Sequence, residues 1–558
     1  MASWIRFYTR NTILVVCILV LPLLLGPDAI LASSWPHDPL ENLSLCSAEG
    51  WRDYLAAAPD EDGGAFVAWC DWRGGINSDL FAQHVDAYGN LLWTVDGEII
   101  CNESDNQCGA VAVSDGAGGA IFAWEDERNG ADTDIYAQRL DRDGAAWWGY
   151  GGTAVSVEPF NVDGLVICSD GAGGAIIAWV DDRSDLGDIY AQRVDGDGYV
   201  LWDPMGEPVC AVEGRQYDVW IASDGAGGAF FVWNDGRPTS PGIYAQRVGS
   251  NGDNLWAPFD GRAVCTASGN KLQPRLVPNG MGGVIITWED FRTEGGVFAQ
   301  RVDGNGTTVW AADGVMVCEY LGAFGKVIPV ADGTGGALIA WSDNRNGYFD
   351  IHAQRIDPDG NTLWTENGAV VCGASNQQFL EAAASDGAGG LVASWVDERW
   401  NGTDVYAQRL DEWANPVWTI NGVAVSTALS NQFGVVMASD GSGGAIVAWK
   451  DYRFQWGKDR DTEVAVFAQR VEAHGYLGHP SPNITDVMDS PQDQGGSILV
   501  SWEPSYLDVY PHEVVSTYSV WRKYLGGASK SHDGRAAKHG PFREGLYADL
   551  ADRLTRAG

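Results

Sequence analysis

The sequence predicts an all-β chain whose bulk is a closed eight-bladed β-propeller of four-stranded antiparallel blades, and three observations predict it. A tryptophan recurs at 69, 124, 179, 233, 288, 341, 395 and 449, with spacings of 53–55 residues throughout. Within each period four strand-like runs alternate with glycine-rich turns. The last period lacks its fourth run, and a segment near the N-terminus resembles the missing piece. A four-stranded unit of this length cannot bury both sheet faces alone, and stacking such units around an axis buries them all.

Each element follows from local chemistry. In the third period the runs GLVICS, AIIAWV, DIYAQRV and YVLW continuing to EPVC are strands by their β-branched and aromatic content. DGAGG and DxxG between them supply the φ > 0 positions that hairpins need. The segment Trp35 to Cys46, WPHDPLENLSLC, mirrors the LW…VC run, with 11 residues from Trp to Cys where Trp93 to Cys101 has 8. As a strand completing the last blade it closes the ring and removes two sheet edges. An open β-solenoid is the rival arrangement.

The chain begins with Arg6 and Arg10, an apolar run from Ile13 to Leu25, then Gly26, Pro27 and the small-residue segment AILASS. That order is secretory, so residues 1–32 read as a signal peptide and the chain as secreted, extracellular or held at a cell surface. The alternative, an uncleaved anchor, is short for a bilayer needing about 20 apolar residues, and no later segment is apolar enough to span. The 75 acidic and 35 basic residues leave a net charge of −40, which repels phosphate backbones and argues against nucleic acid as a partner.

Ten cysteines are present, and Cys101, Cys210, Cys265, Cys318 and Cys372 occupy one repeat position, where Ser156 and Ser426 also stand. Equivalent positions in separate blades lie too far apart to bridge, so they read as small buried hydrophobes. Cys101 with Cys108 is the one nearby pair to test for a disulfide. No zinc-ligand spacing occurs. Asp141, Asp195 and Asp357 open turns that imitate a calcium loop, but the twelfth positions are Gly152, Gly206 and Gly368 rather than Glu, which leaves hairpin chemistry with room for weak calcium binding and no other cofactor.

Each repeated Trp is followed by x-Asp-x-Arg, and seven third strands carry Gln-Arg. An eightfold group answers a need every blade shares, so these residues are assigned to structural hydrogen bonds and ion pairs. Function belongs where the repeats differ. The loops between second and third strands share one rim with the connections to the next blade, and there Trp72, Phe291, Tyr348, Trp400, Tyr452, Phe454 and Trp456 interrupt polar sequence. Counting back from each DG turn places Asp53, Gln107, Asp163, Asp218, Gln273, Lys326, Gln378 and Gln432 at the mouth of the central channel.

Residues 483–523, with Trp502, Tyr518 and Trp521 on successive strands, resemble the first half of a fibronectin type III sandwich. The propeller region, 33–478, resembles uncharacterised repeat proteins exported by bacteria, which implies a fold and a location but no activity. Residues 524–558 form a basic tail where the remaining sandwich strands belong. These readings give a non-enzymatic binding or structural protein that meets an extracellular glycan or protein through the variable rim. The runner-up is a glycoside hydrolase or lyase using carboxylates at the channel mouth, and a third reading is a purely architectural spacer.

Overall fold

The structure, a computed structural model, describes residues 35–479 except 131, 158–159, 184–185, 293–294, 320–323, 401 and 456–462, together with the strands Ala2–Thr9, Thr12–Leu19, Asn483–Asp489 and Ile498–Glu503. Contacts divide the chain into two units, Ser33–His479 and Met1–Ala32 with Pro480–Gly558. In the latter, Ala2–Thr9 pairs antiparallel with Thr12–Leu19, and Asn483–Asp489 with Ile498–Glu503. Tyr518, Trp521 and the tail lie outside the described residues. Among the described residues no helix is long and apolar enough to cross a membrane.

The first-named unit is an eight-bladed propeller. Blade 1 comprises Arg52–Pro59, Ala65–Asp71, Asp79–Val85 and Glu98–Cys101, hydrogen-bonded in that order, and blades 2 to 7 repeat the pattern. Blade 8 takes Gln432–Ser439, Ala445–Asp451 and Ala465–Val471 from its own period and Leu43–Cys46 from the N-terminus. Each innermost strand touches the next around the whole ring, blade 8 against blade 1 included, which excludes the open solenoid.

Apolar second strands explain the packing. Both faces of every blade's second strand are buried, and the eight repeated Trp side chains are fully inaccessible between blades. Burying a Trp removes roughly 200 Å² from water, an upper estimate of about 5 kcal/mol of transfer free energy each. A second tryptophan locks each blade to the following one. Trp93 Nε1 donates to Arg142 O at 2.9 Å and Trp148 Nε1 to Gly196 O at 3.1 Å, and Trp35 fills the same role at the closing seam by donating to Ala87 O at 2.9 Å.

The repeated polar residues hold these seams. Asp290 Oδ2 accepts from Trp288 Nε1 at 2.8 Å and from Arg292 Nη2 at 2.5 Å, and Arg292 reaches on to Cys265 Sγ of the preceding blade at 3.1 Å. Arg139 bonds Asp115 within its blade (2.8 Å) and Gly196 O in the next (2.9 Å). Cys101 makes the Arg contact too, with Arg128 Nη2 at 3.0 Å, and does not bond Cys108. Cys108 forms its disulfide with Cys70, Cα atoms 5.2 Å apart. Cys101 lies on the outermost strand of blade 1, whereas Cys70 and Cys108 face each other near the axis from neighbouring blades. The turn aspartates Asp141, Asp195 and Asp357 each accept two amides of their own turn, at 2.8–3.0 Å.

Candidate functional site

The variable rim forms as the connectivity requires. The loop after the second strand and the connection into the next blade meet there, as when Gln107 N donates to Ser78 O at 2.8 Å. At the seam between blades 8 and 1 this rim opens into a cleft of about 720 Å³ lined by Glu49, Gly50, Trp51, Trp72, Arg73, Gly75 and Glu463. A second hollow of about 580 Å³ shares Glu49 and Glu463 and adds Ser47, Arg453 and Phe454.

An aromatic path leads from the cleft toward the axis. Trp51 meets Tyr452 edge-on with centroids 5.9 Å apart, and Tyr452 meets Phe433 in the same way at 5.9 Å. Burial and the nearby Asp53 carboxylate raise the Tyr452 hydroxyl above its ordinary range. Asp53 accepts from Lys450 Nζ at 2.5 Å, tying blade 1 to blade 8 beneath the path. The seam thus gathers four of the residues picked from sequence, Trp72, Tyr452, Phe454 and Asp53. It adds Trp51, Phe433 and Glu49, which sequence reading passed over because they sit in lead-ins and strands, and Glu463, which sits in the longest rim loop but is not aromatic.

The other rim aromatics stay apart from the cleft. Tyr348 and Trp400 are exposed on blades 6 and 7, Phe291 is half-buried on blade 5, and Trp456 lies outside the described residues.

The channel mouth differs from the sequence expectation in its frame. In every blade the innermost strand starts eight residues before the Asp or Asn that opens its turn, as Gln107 precedes Asp115. In blades 1, 2, 4, 5, 7 and 8 that leading position is buried in the blade. Gln107, Gln378 and Gln432 are fully buried and donate to backbone carbonyls of the loop just before them, Gln378 to Ser375 O and Asn376 O at 3.1 Å. They pin loops and do not line the channel. A β-bulge follows in most blades, with left-handed backbone at Tyr54, Gly109, Gly164, Asp218, Gln273 and Gly434. The extra residue re-aims the strand at the same place in each of these blades, and the residues singled out lie six (Asp218, Gln273, Lys326), seven (Asp53, Asp163) or eight (Gln107, Gln378, Gln432) positions before the turn, so they fall on different faces.

The remaining mouth residues are engaged with neighbours. Asp218 accepts from Asn234 Nδ2 at 3.0 Å, Gln273 donates to Glu289 Oε1 at 3.0 Å, and Lys326 bonds Glu381 Oε2 at 2.5 Å. Asp163 is exposed, one carboxylate oxygen accepting from Gly164 N at 2.7 Å. Two carboxyls invisible to sequence reading join them, because they sit directly after a core Trp. Glu289 is pushed up to about 7 by burial. Glu125 is pushed up to about 7 by burial, with Asp163 and Glu127 adding to it.

No family model and no curated protein matches the chain. Several solved structures are distantly similar to it. A protein of unknown function from Dyadobacter fermentans aligns at 12% identity over 57% of this chain and 97% of its own, TM-score 0.33. Dipeptidyl peptidase 4 of Porphyromonas gingivalis aligns at 12% over 77% of this chain and 59% of its own, TM-score 0.41. The endo-arabinase of Bacteroides thetaiotaomicron aligns at 11% over 49% of this chain and 99% of its own, TM-score 0.25. Likenesses this distant concern the fold alone.

Proposed function

We propose that this chain is an exported binding protein that recognises an extracellular glycan, or a protein displaying one, through the variable rim at the seam of blades 8 and 1. The observation that carries the reading is the cleft in which Trp51 and Trp72 lie beside Glu49, Glu463 and Arg73. Indole faces stack on sugar C–H surfaces while carboxylates accept from hydroxyls. Arg73 is held by Asp71 at 2.5 Å, and the chain's net charge of −40 favours neutral or amino sugars over polyanions. In this reading residues 483–523 supply the first strands of a fibronectin-like module, and any calcium on the acidic turns is weak.

The test is a glycan array with the full-length protein, followed by titration of any hit against Trp51→Ala and Trp72→Ala. Each substitution is expected to weaken binding about tenfold, roughly 1.4 kcal/mol, while Tyr348→Ala leaves it unchanged. An array without hits, or hits indifferent to both tryptophans, overturns the assignment. The hydrolase or lyase reading draws on Glu125, since burial first, and then the nearby Asp163 and Glu127, raise its carboxyl to about 7, and a carboxyl that stays protonated near neutrality suits a general acid. Turnover of a bound glycan that disappears in Glu125→Gln favours that reading.

A further inference from the structure

One pair of positions joins neighbouring blades at two adjoining seams of the channel mouth: the residue after the second-strand Trp and the second residue of the next blade's innermost strand. At the seam of blades 8 and 1 the pair is Lys450 with Asp53, an ion pair at 2.5 Å. At the next seam it is Cys70 with Cys108, a disulfide. Register confirms that the two seams are equivalent, since Asp53 lies opposite Cys70 and Cys108 opposite Glu125. At the third seam the same two positions hold Glu125 and Asp163, the latter opposite Val180.

Two seams are therefore clasped, and the third places two acids at the equivalent positions. The space for this is built in. Gly109 has φ +64, and a Cβ there would stand 3.2 Å from the Glu125 carboxyl, so a side chain at 109 would displace it. The charged groups acting on Glu125 are Asp163 from blade 3 and Glu127 from its own strand, both acidic. Two carboxylates that meet as the Lys450–Asp53 pair does cannot both ionise cheaply, and one proton shared between them makes a strong hydrogen bond.

We propose that Glu125 and Asp163 form a proton-operated clasp between blades 2 and 3: a single shared proton closes the channel mouth at this seam, and its loss lets the two blades part there. The carboxyl of Glu125 gains proton affinity on folding, so its contribution is complete below the ordinary Glu range and is lost as pH rises through about 7. Blades 1 and 2, joined covalently, do not respond.

The experiment compares the wild-type protein with Glu125→Gln and Glu125→Lys from pH 5 to pH 9 by thermal unfolding and hydrogen exchange. Glu125→Gln should match the wild type at pH 5 and unfold at higher temperature at pH 8. Glu125→Lys, which recreates the Lys450 pairing, should be the more stable of the two at pH 8. Exchange along Val162–Ser169, corrected for intrinsic rate, should speed up at least severalfold between pH 5 and pH 8 in the wild type only, while Gln107–Ser114 stays constant. A double variant, Glu125→Cys with Asp163→Cys, should oxidise to a disulfide detectable by peptide mass. Superimposable pH profiles for wild type and Glu125→Gln, or two free thiols in the double variant, overturn the clasp.

Discussion

At the residue scale the repeat is a lesson in where a charge can be buried. Asp290 is inaccessible, and burial alone would favour its neutral form, but bonds from Arg292 and Trp288 outweigh that and hold the carboxyl below the ordinary range. Asp71 and Asp343 show the same balance. Removing the charge leaves a guanidinium that is mostly buried against a sulfur and a carbonyl. We expect Asp290→Asn to cost about 2–4 kcal/mol, toward the lower end for a broken buried pair because Arg292 retains some solvent. Urea unfolding at pH 7 measures this, and a loss under 1 kcal/mol would mean that the network is ornamental. The sign with pH is fixed by the downward shift: the contribution is present above the ordinary carboxylate range near 4 and lost as pH falls below it. Wild type should therefore approach its acid transition more steeply than Asp290→Asn. Glu125 acts oppositely, so the chain should be most stable between the two windows, at mildly acidic pH.

At the element scale the strands were legible and the seams were not. β-branched and aromatic runs between glycine turns mark all four strands of a blade in sequence, because hairpin geometry is local. Which blade edges touch is not local. Cys70 and Cys108 are 38 residues apart and meet only because the last residues of one second strand face the first residues of the next innermost strand. Cys101 looked nearer along the chain and lies on the outermost strand, away from the axis. Gln378 was misplaced for a related reason: it opens its strand ahead of the bulge, where the side chain turns into the blade, and composition does not mark that. A disulfide closing a loop of this length restrains the unfolded chain by about 2–4 kcal/mol. Cys70→Ser with Cys108→Ser should lose that amount in thermal or denaturant unfolding. Reductant should lower the wild-type melting temperature and leave the double variant unaffected. If reductant shifts both equally, the bridge is not what stabilises this seam.

At the scale of the whole molecule, closure of the ring depends on twelve residues distant in sequence from the blade they complete. Trp35, Leu45 and Cys46 are buried at the closing seam among Trp69, Val67, Ala448 and Val466, residues of blades 1 and 8. Arg470 adds a bond to Ala87 O at 2.7 Å across the same boundary. Trp51 and Trp72 open their cleft at this boundary, so the candidate binding site exists only in the closed ring. Deleting residues 35–46 exposes the Ala465–Val471 edge and the apolar face of Trp69, and an unpaired strand beside an apolar face recruits another chain. The truncated protein should therefore associate, but against its own charge. A net −40 holds copies apart while the Debye length is about 30 Å at 0.01 M salt, and this protection fades at 0.1 M, where it is about 10 Å. Light scattering after size exclusion should find monomers of the truncated chain at low salt and oligomers at high salt, with the intact protein monomeric in both. A synthetic peptide spanning 35–46 should restore the monomer, since it returns the missing strand without a covalent link. Were the truncated chain to stay monomeric at both salts with an unchanged melting temperature, the strand would be decoration on a ring already closed by the contacts of its innermost strands.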